Sequence, residues 1–324
     1  VRRRGVKIGL SFPNFSLTAS RVITKDAERA KFDGVWVNDD LVGVFQRETF
    51  DPYLSLALMA ESSRRVSVGS AVLATYRKHP VDTALKLLSI DHLSRGRLIA
   101  GVGSCCPSEE WGFPPTADVT KRFSEFVGLL KALLAGENVS FEGEYFRVRD
   151  VGFAVKPYRG RSIPVWAAAN TDKGLRVVAR YADGWLPICI PPLIYSQELG
   201  VIRDSAKEQG RRSREIVAAC MAFIHIAGDR SSARRTAYPL LAQTACWFNS
   251  YRTRKLGLGA FKTPEQVPAE VVEELNIVGT VEDAATRIGE YVDAGAEHII
   301  LQPVPVRDIR RMIPRIRRAV EQAV

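Results

Sequence analysis

Short β-branched runs alternate with helix-patterned segments along nearly the whole chain, and that alternation leaves few folds open. Segment 6–11 reads as a strand, 21–31 as a helix and 34–37, Gly34-Val-Trp-Val, as the next strand. The cycle repeats with a helix over 52–62, a strand over 66–72, a helix over 80–93 with Pro80 in its first turn, and a strand over 98–102. Phe123, Val127, Leu130 and Leu134 recur at three- and four-residue spacing, so 118–134 is a helix with one buried stripe, stopped at Gly136. A hairpin over 139–148 interrupts the pattern. Strands over 164–168, 184–188, 217–226 and 298–302 then alternate with helices over 173–181, 194–209, 230–248, 281–293 and 306–320, while 249–266 reads as irregular. Strands this continuously apolar belong to a parallel sheet buried on both faces. The expected fold is therefore α/β: a single (β/α)8 barrel over 1–324, with a β-hairpin insertion after the fourth βα unit and an irregular insertion near 249–280. A doubly wound open sheet is the other arrangement, but no Gly-x-Gly-x-x-Gly turn follows the first strand.

Composition narrows the partners. The longest uncharged apolar stretch, 216–224, is far short of the roughly 20 residues needed to cross a bilayer. The basic start, Val1-Arg-Arg-Arg-Gly5, leads into an apolar run that stops at Phe12-Pro13-Asn14, so no export signal is read. Five cysteines without regular spacing do not make a disulfide framework. The expectation is a cytoplasmic protein with no membrane association. Lys and Arg total 46 against 36 Asp and Glu, a net charge of +10 that attracts anions. The basic residues are spread along the chain rather than clustered with aromatics, which argues against nucleic acid and leaves a solvated basic surface or an anionic cofactor or small-molecule substrate.

In such a barrel the chemistry sits on loops after the strands' C-terminal ends. Asp39 and Asp40 follow the second strand, and two adjacent carboxylates there are costly to bury unless each finds a partner. The stretch 71–80 follows the third strand. Gly101-Val-Gly-Ser104 follows the fourth and runs on through Cys105 and Cys106 to Glu109 and Glu110. Ala169, Asn170 and Thr171 precede a helix and offer either an N-cap or an anion cradle at its N-terminus. Cys105 and Cys106 are poorly placed for a disulfide with each other. No Cys/His set has zinc-site spacing, and no metal is expected. His79, His92, His225 and His298 lack a nucleophile motif, so each reads as a packed hydrogen-bonding group.

Together these residues resemble the luciferase-like flavin and deazaflavin oxidoreductases, which include F420-dependent methylenetetrahydromethanopterin reductases. The resemblance covers nearly the whole chain. It is carried by Ala30-Lys-Phe-Asp-Gly34-Val-Trp-Val-Asn-Asp39, Tyr76-Arg-Lys-His79-Pro80, and Leu87-Leu-Ser-Ile-Asp91-His-Leu-Ser94-Arg95-Gly96-Arg97-Leu98 running into Gly101-Val-Gly-Ser104. Pro164-Val-Trp-Ala-Ala168, Ala182-Asp183-Gly184, Val278-Gly279-Thr280 and Gly295-Ala-Glu-His298 are similar too.

The resemblance implies coenzyme F420, or alternatively FMN, with its ring in the barrel mouth. It implies a non-prolyl cis peptide at Ala71–Val72 behind the ring, and cofactor contacts from Asp39, Ala71, Val72, Thr75, Ser104, Ala169, Asn170 and Thr171. Asp40 stands where many F420-dependent members carry His, and Cys106 where some carry a catalytic Glu. Asp40 and Glu109 are accordingly the expected catalytic carboxylates. The implied activity is hydride transfer between the deazaflavin and a small organic substrate, in a homodimer. An FMN-dependent monooxygenase is the alternative, and a barrel that binds a cofactor without catalysis is the reading from another class.

Overall fold

The computed structural model describes residues 5–40, 49–104, 116–248, 257 and 261–324. Its elements run β1 (Lys7–Phe12), α1 (Leu17–Arg29), β2 (Gly34–Val37), α2 (Pro52–Ser62), β3 (Ser67–Ser70), β4 (Leu73–Ala74), α3 (Pro80–Ser94), β5 (Leu98–Gly103) and α4 (Val119–Leu134). There follow β6 (Val139–Glu142), β7 (Arg147–Val151), β8 (Val165–Ala168), α5 (Asp172–Tyr181), β9 (Gly184–Trp185), α6 (Pro192–Glu208), β10 (Val217–Ile226) and α7 (Arg230–Phe248). The chain closes with α8 (Ala269–Leu275), β11 (Ile277–Gly279), α9 (Val281–Asp293), β12 (His298–Pro303) and α10 (Ile309–Ala323). Parallel pairing runs β1, β2, β3, β5, β8, β9, β10, β12 and back to β1, which is the expected closed barrel. The antiparallel pair of β6 and β7 is the hairpin insertion. Part of the stretch expected to be irregular is regular: α8 and β11 occupy 269–279, and β11 pairs with the C-terminal end of β10. A seven-residue helix and a three-residue strand are too short to show a period.

Closing a sheet forces each strand residue to point either in or out. On β2, Val35 and Val37 pack into the large core between barrel and helices, whereas Trp36 joins a separate interior cluster with Trp166, Leu186, Met221 and Ile300. Trp36 and Trp166 stack at 5.1 Å between centroids, and His298 meets both edge-on. Burial, helped by the charge of Lys7, pushes the His298 imidazole down to about 3, so it stays neutral. The other three histidines are structural too. His79 caps α3, His92 bonds the Lys156 carbonyl at 2.8 Å, and His225 bonds the Val304 carbonyl at 2.5 Å.

The barrel floor is joined by a repeated device. Asp33, Asp183 and Glu297 immediately precede β2, β9 and β12. Each donates its own N–H to the carbonyl of a residue on the preceding strand of the ring: Ile8, Val165 and Ala218, at 2.8, 2.8 and 2.7 Å. Each side-chain carboxylate then accepts the N–H of that same residue, at 2.7, 2.8 and 2.9 Å. Their carbonyls accept from the following strand, at Ser67, Val217 and Lys7. Every one of these acids thus binds three consecutive strands. Arg97, in the same position before β5, uses the opposite charge: its guanidinium donates to the carbonyls of Ala60, Ser63, Val66 and Ser94.

The aromatic layer leaves little tolerance beside it. A Cβ on Gly69 would lie 2.1 Å from the Trp36 ring. Gly69→Ala is expected to cost about 3 kcal/mol through overpacking, read as a lowered urea midpoint with unchanged slope.

Candidate functional site

The two aspartates that follow β2 sit in different surroundings. Asp39 continues the outward phase of Val35 and Val37. Its side chain is fully buried and its carboxylate is taken up by Arg77, by Lys78 at 2.8 Å and by the Ala74 N–H at 2.9 Å. Both oxygens of the Asp39 carboxylate, which was expected to meet a cofactor ring, thus have protein donors. Asp40, the next residue, is half-buried. Burial, with the neighbouring Asp39 charge, pushes its carboxyl up to about 7, against the pull of Arg77 and of a hydrogen bond donated by Asn38. Its carbonyl accepts from Thr49 Oγ1 at 2.7 Å.

β3 and β4 are one barrel strand interrupted by a bulge. Gly69 pairs with Ile99 and Leu73 with Val102, so four steps on one strand face three on the other. The peptide Ala71–Val72 in this bulge is cis, as the resemblance implied. The Ser70 hydroxyl spans the interrupted ladder: it accepts the Gly101 N–H at 3.0 Å and donates to the Gly101 carbonyl at 2.8 Å. A Cβ on Gly101 would stand 1.9 Å from the Ser70 carbonyl oxygen, so the first glycine of Gly101-Val-Gly-Ser104 is there for close approach.

After the bulge, Thr75 is buried and donates to the Gly103 carbonyl at 3.0 Å. It shares a small recess with Tyr76, Ser104, Arg122 and Phe123, so Thr75 and Ser104 do come together at the end of β5. On the neighbouring strand, Ala169 and Asn170 lead from β8 into α5. Thr171 caps that helix, accepting from the Gly174 N–H at 3.2 Å. Ala169 holds its strand end through its carbonyl, which accepts from Trp185 Nε1 at 3.0 Å. Glu109, Glu110, Cys105 and Cys106 lie outside the described residues. No group of His, Cys, Asp or Glu among the described residues could hold a metal. None of the described helices is long and apolar enough to cross a membrane.

Asn14 and Asn38 follow β1 and β2, at strand ends where chemistry was expected, but neither was assigned a role, because the bonds that join them run between elements far apart in the chain.

A closed barrel with a bulged third strand and polar groups gathered at one end defines an α/β enzyme scaffold of known kind. The profile of the family described as luciferase-like monooxygenase matches residues 6–298, and the chain belongs to that family. It is an oxidoreductase of the flavin and deazaflavin class. The phthiodiolone/phenolphthiodiolone dimycocerosates ketoreductase of Mycobacterium kansasii is 26% identical over 317 residues, covering 83% of this chain and 86% of its own. The coenzyme F420 dependent tetrahydromethanopterin reductase from Methanopyrus kandleri superposes with a TM-score of 0.83 at 20% identity, over 97% of each chain. An F420-dependent secondary alcohol dehydrogenase in complex with an F420-acetone adduct gives 0.84 at 16% identity, over 99% of each.

The two aspartates should respond oppositely to loss of charge. Asp39→Asn leaves Arg77 and Lys78 without their counter-ion and is expected to cost about 3–5 kcal/mol. Asp40 binds its proton more tightly folded than unfolded, so its ionisation subtracts stability as pH rises from about 4 through about 7. Asp40→Asn should therefore stabilise the protein above pH 7, by roughly 1–3 kcal/mol after allowing for partial exposure. Urea denaturation of both variants on either side of that pH checks the opposite signs.

Proposed function

We propose that the chain is an F420-dependent oxidoreductase that passes hydride to a carbonyl or imine carbon of a small organic substrate. The observation that carries this reading is Asp40: a half-buried carboxyl after the end of β2, bonded by Asn38, set beside Asp39 and Arg77 and held near pH 7. A general acid works best with its pKa near working pH. The printed activities of the similar proteins, a ketoreductase, a pterin reductase and an alcohol dehydrogenase, share transfer of hydride at carbon, and that supports the same class here.

The residues present suit such a cofactor. Asn170, Thr171 and the first turn of α5 would hold its phosphate, where the helix dipole favours an anion. Ala71 and Val72 would back the ring, with Ala169, Thr75 and Ser104 at its edge. Asp39 would act indirectly, by fixing the turn after β4. When bound, the cofactor supplies the hydride. Asp40 delivers the proton to the substrate heteroatom, so the products of a carbonyl reduction balance as an alcohol and an ionised Asp40. The family description keeps an FMN-dependent monooxygenase as the second reading.

Two measurements test this. Titration of purified protein with F420 and separately with FMN, followed by cofactor fluorescence, is expected to give micromolar or tighter F420 binding with FMN weak. Preference for FMN would make the monooxygenase reading primary, and binding of neither would leave a barrel without this chemistry. Asp40→Asn is expected to lower kcat by about 10²–10⁴-fold with F420 affinity kept. Wild-type reduction should fall as pH rises through about 7, because the acid must be protonated.

A further inference from the structure

The Asp40 carboxyl does not stand alone after the end of β2; a chain of polar side chains leads to it from α2. Ser55, fully buried on α2, donates to Asn14 Oδ1 at 2.5 Å. Asn14, itself buried in the loop after β1, gives its amide side-chain N–H to the Phe50 carbonyl and its backbone N–H to Asn38 Oδ1 at 2.9 Å. Asn38 then donates through Nδ2 to Asp40 Oδ2.

The direction of this chain is fixed by chemistry. A backbone N–H can only donate, so the Asn38 atom facing Asn14 must be the carbonyl oxygen. The Asn38 amide is thereby locked with its NH2 toward Asp40, and a group that offers only donors favours the ionised acid. Among the described residues, the charged groups facing Asp40 are Asp39 on its own strand end and Arg77 on the turn after β4, with Lys78 on the far oxygen of Asp39. Burial and Asp39 favour the protonated acid, Arg77 and Asn38 the ionised one, and Asn38 is the neutral donor bonded directly to the carboxylate.

We propose that Asn38 is a positioning residue: locked by Asn14 and Ser55, it holds the Asp40 carboxyl in place and sets the pH at which that group gives up its proton. This rests on the reading of Asp40 as the proton donor, but its test does not. Asp40 can be titrated by carboxyl ¹³C NMR in the full-length, ligand-free protein. Asn38→Ala removes the donor. Asn38→Asp keeps an acceptor for the Asn14 N–H but, when ionised, offers Asp40 nothing, and it guards against a variant that fails for want of the loop anchor. Both are expected to raise the Asp40 midpoint by at least about one pH unit, a tenfold change in proton affinity. Ser55→Ala, which only loosens Asn14, should move it the same way by less.

An unmoved midpoint in both Asn38 variants, with the thermal transition kept, overturns the proposal. In turnover assays the alkaline limb of the pH–rate profile should move with the NMR midpoint. A moved midpoint beside an unmoved limb upholds Asn38 as the group that tunes Asp40 and rejects Asp40 as the acid.

Discussion

Two cations and one carboxylate meet where water does not reach: Arg77 and Lys78 close on Asp39, whose remaining capacity is filled by the Ala74 amide. Taking three charges out of water is expensive, and the cost is offset only because both carboxylate oxygens have donors. The effect is positional. The end of β2 is tied to the turn beyond the bulge, so the two sides of the mouth that flank Ala71 and Val72 move as one body. The same charge raises its neighbour, since Asp40 must ionise beside an anion already committed elsewhere. One ion cluster thus supplies both the framework of the site and part of its electrostatics.

From that anchor the rest of the mouth follows. Ser70 replaces with its hydroxyl the ladder bonds that the bulge removes, which lets β3 and β5 stay joined while the backbone between them turns. Thr75 ties the far side of the bulge to Gly103, leaving Ser104 as the first residue free of the ladder. Ser70 and Thr75 are therefore held by bonds to backbone, an arrangement suited to presenting groups at a fixed place.

Much of this was legible in the sequence. Eight apolar runs with helical spacers fixed the ring, and the bulge peptide came from resemblance alone. The two adjacent aspartates were visible as a pair, but which of them the cations of Arg77 and Lys78 would take was decided by the turn after β4, which no local pattern shows. Asn14 was unreadable, because its partners, Ser55 and Phe50, come from elsewhere in the chain. Several motifs that carried the resemblance turn out to serve the floor: Ser94-Arg-Gly-Arg97 and Ala182-Asp183-Gly184 hold strands and turns together far from the mouth. A pattern can identify a scaffold without marking the place where it works.

The three floor acids have a consequence for how such a protein changes over time. Because Asp33, Asp183 and Glu297 each tie three strands together from below, that share of the strand order is set away from the mouth. A rim residue outside the Asp39 ion cluster and the bulge can be exchanged without breaking those floor bonds. The barrel thus divides its work between two ends: a floor that orders strands, and a rim whose polar groups are free of that task.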